Sequence, residues 1–409
     1  MFATLFAYQT HCALSHFRGK LACLLVHDSI LSRIRASTKS GAVQGIMSKI
    51  FIWNPDENQT YDIPGPYELS AASFDKEAGK SFTMIPPAGT LMLLSRQSSV
   101  WGGHFDNAIP PTEIDLRSGA LVLRGVSGDP KGVDFTMGPY PYKLIGHPFV
   151  NFTLTDASFE ASHFDKVNAG GLDPLVLGMY IDLLLDLKLA GASRYQVDCG
   201  LYASTKRLLV KGRSAVKVRA DEVVLTFSEY FVLPTELPRA PGDDHSLNLE
   251  ATGGKLEIAE SRFAFGNSAK SAVKSKKITL RKSVRVAAQD SARATFVTDA
   301  VEFYDSASTA IFSIADHADV EFDTYSGGKP FDFLSNRQYP EGLFNFQSSP
   351  QSRSTGKFTL YGAGSAFEQS AMLNKRVVAI DGVPQSDSKR LKFDYVPVGN
   401  TQNMVVSLR

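Results

Sequence analysis

Very short strands of the form apolar-x-apolar recur along most of this chain, and they constrain its fold more than any other feature. Early examples are Ile114–Leu116, Leu121–Leu123 and Val133–Phe135. Alternation with a period of two is typical of strands that bury one face. Between Leu247 and Phe333 such strands follow one another at short, fairly regular intervals. This rhythm predicts either a run of antiparallel hairpins or a solenoid with two or three strands per coil.

Two features of the Leu247–Phe333 stretch favour the solenoid. Its links are small-residue corners such as Ser261, Ser283, Ser291 and Gly327-Gly328, and it contains neither Asn-Gly nor Asp-Gly, the dipeptides of tight hairpins. Its apolar positions are rich in phenylalanine, which can stack in successive coils at about 4.8 Å. The residues expected to point inward are Phe263, Phe265, Phe296, Phe303, Phe312, Phe322, Phe331 and Phe333.

The sequence therefore predicts an all-β fold, a parallel β-solenoid with irregular N- and C-terminal caps. A β-sandwich or jelly roll is the alternative, because such cores also alternate Phe and Val. At about 18 residues per coil, the solenoid would have roughly fourteen coils and a length of about 65 Å. The densely apolar stretch Leu172–Leu189 fits either a buried helix or buried strands, and its Asp-Leu-Lys-Leu alternation favours strands.

Composition divides the chain into four segments. Residues 1–46 hold two of the three cysteines, three of the eight histidines and one acid. We interpret them as a poorly ordered extension, with a targeting peptide or a metal site as alternatives. The five prolines of residues 47–88 predict an N-terminal cap. Residues 89–345 are expected to form the solenoid, and residues 346–409 a C-terminal cap. Residues 233–245 contain three prolines and a glycine, and they predict a loop inserted between coils.

In this strand rhythm, residues 90–345 resemble right-handed parallel β-helix proteins of the pectin-lyase-like type. The resemblance implies coils that stabilise one another by stacking. It also implies the functions common in that family: polysaccharide lyases or hydrolases, phage tailspikes and surface adhesins. An extracellular location follows from the same analogy, although residues 1–46 do not form a good secretory signal because no basic region precedes the apolar part.

Charge is segregated along the chain although the net charge is only +1. Residues 261–289 hold eight basic residues and no acid, and residues 294–328 hold seven acids and no base. On a solenoid these segments are adjacent coils, so ion pairs between coils are the first expectation. The alternative is a groove that binds an acidic polymer. Its candidate ligand-binding residues are Lys274, Lys276, Lys277, Arg281 and Arg285.

For catalysis, Gly242-Asp243-Asp244-His245 resembles the double-Asp element of the polygalacturonase-like glycosidases, which use carboxylates as acid and base. Arg390-Leu391-Lys392 resembles the Arg-x-Lys of that family. No Asn-Thr-Asp stands upstream, and no Gly-His-Gly stands downstream. The resemblance makes Asp243 and Asp244 candidate catalytic residues. The missing elements favour the simpler interpretation, in which both aspartates lie at the solvated tip of a loop.

A lyase would need a basic residue to remove a proton and a charge neutraliser such as Ca²⁺. Arg281, Lys282 and Arg285 are the candidate bases. Asp319, Glu321 and Asp323 are the candidate metal ligands, because alternate residues of a strand share one face. No cofactor other than this Ca²⁺ is expected.

Several function classes are excluded or disfavoured. The sequence contains no GxSxG, no GxxxxGK[ST] and no HExxH motif. Nucleic-acid binding is not expected, because the net charge is near zero and no basic face with interleaved aromatics is visible. No stretch reaches about 18 uninterrupted apolar residues, so no membrane-spanning helix is expected. The leading hypothesis is a non-enzymatic recognition or structural protein that binds a polysaccharide, a cell-surface glycan or another surface. The alternative is a lyase or glycoside hydrolase acting on an acidic polysaccharide.

Overall fold

A computed structural model describes residues 50–102, 110–126, 132–138, 150–170, 185–204, 206–236, 238, 244–304, 309–348 and 355–409. The chain divides into two units, Met1–Ile50 and Phe51–Arg409, and the described residues fall almost entirely in the second. The predicted extension 1–46 lies outside the described residues, as do most of Leu172–Leu189 and Asp243.

The described residues form an all-β unit with one helix. Its strands in chain order are β1 (Gln59–Tyr61), β2 (Tyr67–Ala71), β3 (Ser81–Met84), β4 (Thr90–Ser95), β5 (Ser99–Trp101), β6 (Thr112–Leu116), β7 (Ala120–Gly125), β8 (Asp134–Met137), β9 (Val150–Thr155), β10 (Ser158–Ala169), β11 (Leu185–Ala190), β12 (Arg194–Ser204), β13 (Lys206–Val210), β14 (Ala215–Thr226), β15 (Glu229–Val232), β16 (Leu247–Ala259), β17 (Arg262–Phe265), β18 (Lys270–Arg281), β19 (Ser283–Ala288), β20 (Arg293–Val297), β21 (Ala300–Phe303), β22 (Thr309–Ile314), β23 (Asp319–Asp323), β24 (Phe344–Phe346), β25 (Lys357–Leu360), β26 (Val378–Ile380), β27 (Val383–Pro384), β28 (Leu391–Val398) and β29 (Thr401–Leu408). The helix α1 (Ala366–Asn374) lies between β25 and β26.

The strands stack in parallel into two long sheets, which confirms the predicted β-solenoid. The first sheet has 13 strands and runs from β1 to β27, taking one strand from each coil, and the second sheet has 16 strands. Parallel pairing begins with β1 and β3, so the stack extends into residues 47–88, which the sequence assigns to the N-terminal cap.

Each coil contributes strands to three faces. The first face is the first sheet. The long strands β10, β12, β14, β16 and β18 then cover the second face with their first halves and the third face with their second halves. For example, β18 pairs with β20 through Lys270–Lys274 and with β21 through Lys277–Leu280.

The predicted coil length is wrong, because the real coils are longer and unequal. Ala120 pairs with Ser158 in the second sheet, and Leu185 pairs with Lys206 in the first sheet, so both coils exceed the predicted length. The first sheet stacks twelve parallel strands, so the estimate of fourteen coils is too high. The error has a physical cause. Inward Ser271 and Ser275 are buried in the first half of β18 and hide its apolar alternation, so this strand is missed in its coil.

The turns from the first to the second face follow a rule that is visible in the sequence. Most of those that the structure describes contain a residue with left-handed backbone, which Gly, Asn and Asp adopt most readily; the turn between β3 and β4 does not. Gly212, Asn267, Asp290 and Asp316 occupy this position with φ between 53° and 65°. A Cβ on Gly212 would lie 2.5 Å from the carbonyl oxygen of Gly191 in the preceding coil, so these turns also stack closely. The carboxylate of Asp290 accepts a bond of 2.8 Å from the backbone N–H of Asn267.

The core is a column of aromatic rings, as the phenylalanine pattern predicts. Seven of the eight predicted inward phenylalanines are buried, and Phe303 is partly buried. Phe322 lies at the centre of one group, with ring-centroid distances of 5.1 Å to Phe296, 4.9 Å to Phe312 and 4.9 Å to Phe331. Such pairs contribute about 0.5–1.5 kcal/mol beyond their burial.

The two ends of the stack are closed differently. At the N-terminal end, Trp53 packs on Phe82 with centroids 4.9 Å apart, and buried Lys76 donates to the carbonyl oxygen of Asn54. At the C-terminal end the strand direction reverses, because β27 pairs with β26, and β29 with β25, in antiparallel fashion. Ser365 caps α1 and accepts from the N–H of Glu368. Within the part of the chain that the structure describes, no helix is long and apolar enough to cross a membrane.

Candidate functional site

A line of charged side chains and one tyrosine runs along the outward side of the third face. Alternate residues after the bend of each long strand point away from the core. They bring acidic and basic side chains of successive coils within reach of each other, although Lys255 and Lys277 also stand in register. We call this set the charged strip: Glu222, Lys255, Glu257, Lys277, Arg281, Glu302 and Tyr304.

Each basic residue of the charged strip contacts a glutamate of a neighbouring coil. Lys255 Nζ lies 3.1 Å from Glu222 Oε2, Arg281 Nε lies 2.8 Å from Glu257 Oε1, and Lys277 Nζ lies 2.6 Å from Glu302 Oε2. Exposed pairs of this kind contribute only about 0–1 kcal/mol each, so they act mainly on the register between coils. The charged strip is therefore close to neutral in spite of its high density of charge.

Tyr304 is the most exposed aromatic residue of this face, with 61% of its surface accessible. The Arg281 guanidinium lies 3.7 Å from the centroid of its ring. This contact covers one side of the ring and is worth about 0.5–1 kcal/mol at an exposed position. The ring is thus held in place next to the Arg281–Glu257 ion pair while most of its surface remains open to solvent.

Asp299 fixes the loop Thr324–Gly328 next to β21, the strand that leads to Tyr304. Its Oδ1 accepts from the backbone N–H groups of Tyr325, Ser326 and Gly328 at 3.0, 2.7 and 3.0 Å, and from the Thr324 hydroxyl at 2.9 Å. Partial burial opposes ionisation, but these hydrogen bonds outweigh it and lower the pKa of Asp299 to about 2.

We expect Asp299→Asn to destabilise this region at neutral pH. Loss of the negative acceptor should lower the free energy of unfolding by about 1–2 kcal/mol, a small value because solvent screens a partly exposed carboxylate. Since folding lowers the pKa, the contribution is present above about pH 4 and is lost as the pH falls towards 2. Urea unfolding at pH 7 and pH 3 would measure it. The exposed Asp244→Asn serves as control, and equal changes in both variants would contradict the assignment.

The predicted ligand-binding residues do not lie on one face. Lys277 and Arg281 belong to the charged strip, and Lys274 points outward on the second face. Lys276 lies at the corner between these faces. Arg285 lies on the first face, paired in register with Arg262. The basic residues thus lie on different faces of the coils. The first expectation, ion pairs between acidic and basic coils, is confirmed by the contact of Lys277 with Glu302.

The candidate bases have different surroundings. Arg281 contacts Glu257, and Lys282, at a corner with φ of 53°, pairs with Glu260 of the preceding coil. Arg285 is exposed beside a like charge. In Arg281 and Lys282 the basic group is therefore already engaged with a carboxylate rather than free to contact a substrate.

The three candidate metal ligands share the outward side of β23, as the alternation predicts. Asp319 also lies 4.0 Å from Arg293 and 3.9 Å from Lys357. Burial raises the pKa of Glu321, and the Asp323 carboxylate raises it further. Among the residues that the structure describes, no three His, Cys, Asp or Glu side chains are placed to hold a metal ion.

The end of the predicted loop 233–245 is partly visible. Asp244 is exposed and forms no part of the charged strip, whereas Asp243 lies outside the described residues. Burial lowers the pKa of His245, and the nearby Lys274 lowers it further. The Asp-Asp-His element therefore ends next to the second face rather than the third.

Sequence reasoning missed Tyr304 and Glu257. The signal for Tyr304 was available, since the alternation of Val301 and Phe303 inward leaves Glu302 and Tyr304 outward. Its contact with Arg281 was not predictable, because it depends on which residues become neighbours between coils.

A second missed feature lies in the core, where Lys206 is fully buried. Its Nζ lies 5.1, 4.9 and 5.4 Å from the ring centroids of Tyr195, Tyr202 and Tyr230. Tyr195 and Tyr202 both belong to β12 and Tyr230 belongs to β15, and the Tyr202 hydroxyl is hydrogen-bonded to Nζ. Burial lowers the pKa of Lys206 to about 7. We call this group the lysine cage.

Comparisons with known proteins add no relative to these observations. No protein-family model matches the chain, and no curated protein or solved structure matches it either. The assignment of the chain as a parallel β-solenoid therefore rests on its strand pairing.

Proposed function

We propose that this chain is a non-enzymatic recognition protein, a β-solenoid of the pectin-lyase-like type that binds carbohydrate along the charged strip. The observation that carries the proposal is the exposed ring of Tyr304, fixed by Arg281 on the outward side of a parallel sheet. An aromatic ring with an open side offers a surface for the apolar face of a sugar, and the neighbouring charged groups offer hydrogen bonds to its hydroxyls.

The charge pattern favours a neutral or weakly charged glycan over an acidic one. Each basic group of the charged strip is already paired with a glutamate at 3.1 Å or less. A polyanion would have to displace these carboxylates and would meet their repulsion. Sugar hydroxyls, in contrast, can bond to both members of a pair without separating them.

We expect Tyr304→Ala to weaken polysaccharide binding about tenfold, which corresponds to about 1.4 kcal/mol of lost contact. Affinity electrophoresis through gels that contain a neutral glucan, a mannan or polygalacturonate would measure this. Tyr325→Ala is the matched control, because Tyr325 is also exposed but belongs to the loop held by Asp299.

Two outcomes would contradict the proposal. One is unchanged retardation of Tyr304→Ala in every gel. The other is retardation by polygalacturonate alone that disappears in Lys274→Ala or Arg285→Ala, which would favour the acidic groove.

The enzymatic alternative has less support, because Arg281 and Lys282 are paired with Glu257 and Glu260. Incubation with uronic-acid polymers tests it directly. Release of reducing ends or of an unsaturated product, abolished by Arg281→Ala, would establish an enzyme in place of a binding protein.

A further inference from the structure

The second sheet ends at β28, and no other described strand pairs with its outer edge. A two-residue turn, Gly399-Asn400, joins β28 to β29 and places Val398 opposite Thr401. In such a hairpin the pair next to the turn is hydrogen-bonded, and bonded and non-bonded pairs then alternate. The backbone N–H groups of Phe393 and Tyr395 therefore point away from β29, towards the open edge.

The surroundings of this edge are unusually apolar for a surface. Tyr395, Val396 and Val398 are 37%, 44% and 43% exposed, and Phe367 on α1 is 78% exposed. The Tyr395 hydroxyl is hydrogen-bonded to Gln369, so the helix and the edge strand form one surface. An unpaired strand edge with exposed apolar side chains is a template for another strand.

We propose that β28 pairs with β28 of a second copy of this chain, antiparallel about a twofold axis at Phe393. In this register the Phe393 N–H groups donate to the Phe393 carbonyl groups across the axis, and Tyr395 N–H donates to the Leu391 carbonyl group. The same register places Lys392 of one copy opposite Asp394 of the other. Opposite charges across paired strands favour association, and the self-complementary arrangement is what a twofold interface requires.

Proline selects this register over the neighbouring one. An axis at Tyr395 would place Phe393 opposite Pro397, which has no N–H to donate, and would lose a hydrogen bond on each side. Lys392 and Asp394 already form an ion pair of 2.7 Å within one strand. The axis at Phe393 joins two such pairs into an alternating group of four charges, whereas the axis at Tyr395 leaves Lys392 opposite Val398.

The dimer goes beyond carbohydrate recognition. Two solenoids would share a continuous second sheet through their C-terminal ends, and each would keep its own charged strip. Two linked binding faces raise the affinity for a repeating polymer by effective concentration, without any new contact.

Charge reversal tests the register. Sedimentation equilibrium of the full chain over a range of concentrations should show a dimer. Lys392→Asp or Asp394→Lys should each raise the dimer dissociation constant at least tenfold, because like charges then face each other across the axis. The double variant Lys392→Asp/Asp394→Lys should restore the wild-type dimer.

Arg117→Asp is the matched control. Arg117 and Asp115 form an ion pair with the same spacing, 2.6 Å long, in the N-terminal coils, so its reversal should leave the dimer unchanged. Circular dichroism would establish that each variant is folded. A monomeric wild-type chain, a dimer that persists in both single variants, a double variant that stays monomeric, or a dimer that requires residues 1–49 would overturn the proposal.

Discussion

Replacing Lys206 by Met should stabilise the protein at neutral and mildly acidic pH by about 3 kcal/mol in the free energy of unfolding. The amine is fully buried in the lysine cage, and burial lowers its pKa from 10.5 to about 7. Below pH 7 the folded chain must hold a buried positive charge, which methionine avoids at similar volume. The gain is reduced by the Tyr202 hydroxyl, which loses its partner in the variant.

The sign of the pH dependence follows from proton binding. Between pH 7 and 10.5 the unfolded chain binds more protons at Lys206 than the folded chain does, so wild-type stability should rise with pH across this window. The advantage of Lys206→Met should be constant below pH 7, should fall as the pH rises, and should become a small disadvantage by pH 10.5, where only the lost Tyr202 hydrogen bond remains. Urea unfolding at pH 6, 8 and 10 would measure this pattern.

Lys217→Met provides the control, because Lys217 lies on the outward side of β14 and is only half-buried. Its effect on the free energy of unfolding should be small. If Lys206→Met instead destabilised the protein equally at every pH, the ammonium group would be charged and held by the tyrosine rings. That result would overturn the assignment of a depressed pKa.

Truncating Phe322 to Ala should have the second large effect, a loss of about 3–5 kcal/mol. Phe322 is 1% exposed and touches rings of the preceding and following coils, including Phe296 and Phe344 at 5.1 and 5.8 Å. The cavity would open in the middle of the C-terminal aromatic stack. Phe367→Ala, at an exposed position of α1, should change stability by less than about 0.5 kcal/mol.

The repeat architecture also predicts which part of the chain loses stability in Phe322→Ala. Each coil contacts only its neighbours, so damage to one region need not spread. The only tryptophans, Trp53 and Trp101, lie in the N-terminal coils and report on those alone. In Phe322→Ala we expect the circular-dichroism transition to begin at lower urea while the tryptophan-fluorescence transition moves less. Equal shifts of both transitions would indicate one cooperative core and would contradict independent coils.

The sequence alone predicted the architecture because the period of two reports directly which side chains are buried. Phe312, Phe322 and Phe331 were predicted to point inward from alternation, and they are buried. The same logic failed for the first half of β18, where Ser271 and Ser275 point inward. Small polar residues carry no hydrophobic signal even when they are buried; the hydroxyl of Ser275 is satisfied inside the core because it donates to the Lys277 carbonyl oxygen.

The candidate site was less predictable than the fold. The segregation of charge in residues 261–328 was correctly interpreted as ion pairing between coils, since adjacent coils must contact each other. Which pairs would form depended on the length of each coil, and that length varies widely with the loops. A small error in coil length moves a side chain to another face, and for this reason Arg281, Lys274 and Arg285 could not be assigned correctly to one groove.

Local preferences along the chain determined that this protein is made of strands with one buried side, and that most described turns from the first to the second face use Gly, Asn or Asp in left-handed backbone. Only the tertiary structure decided which residues stand above one another. It placed Arg281 against the ring of Tyr304 and enclosed Lys206 among three tyrosines. The physical reason is that burial is encoded residue by residue, whereas contacts between coils depend on the length of every loop between them.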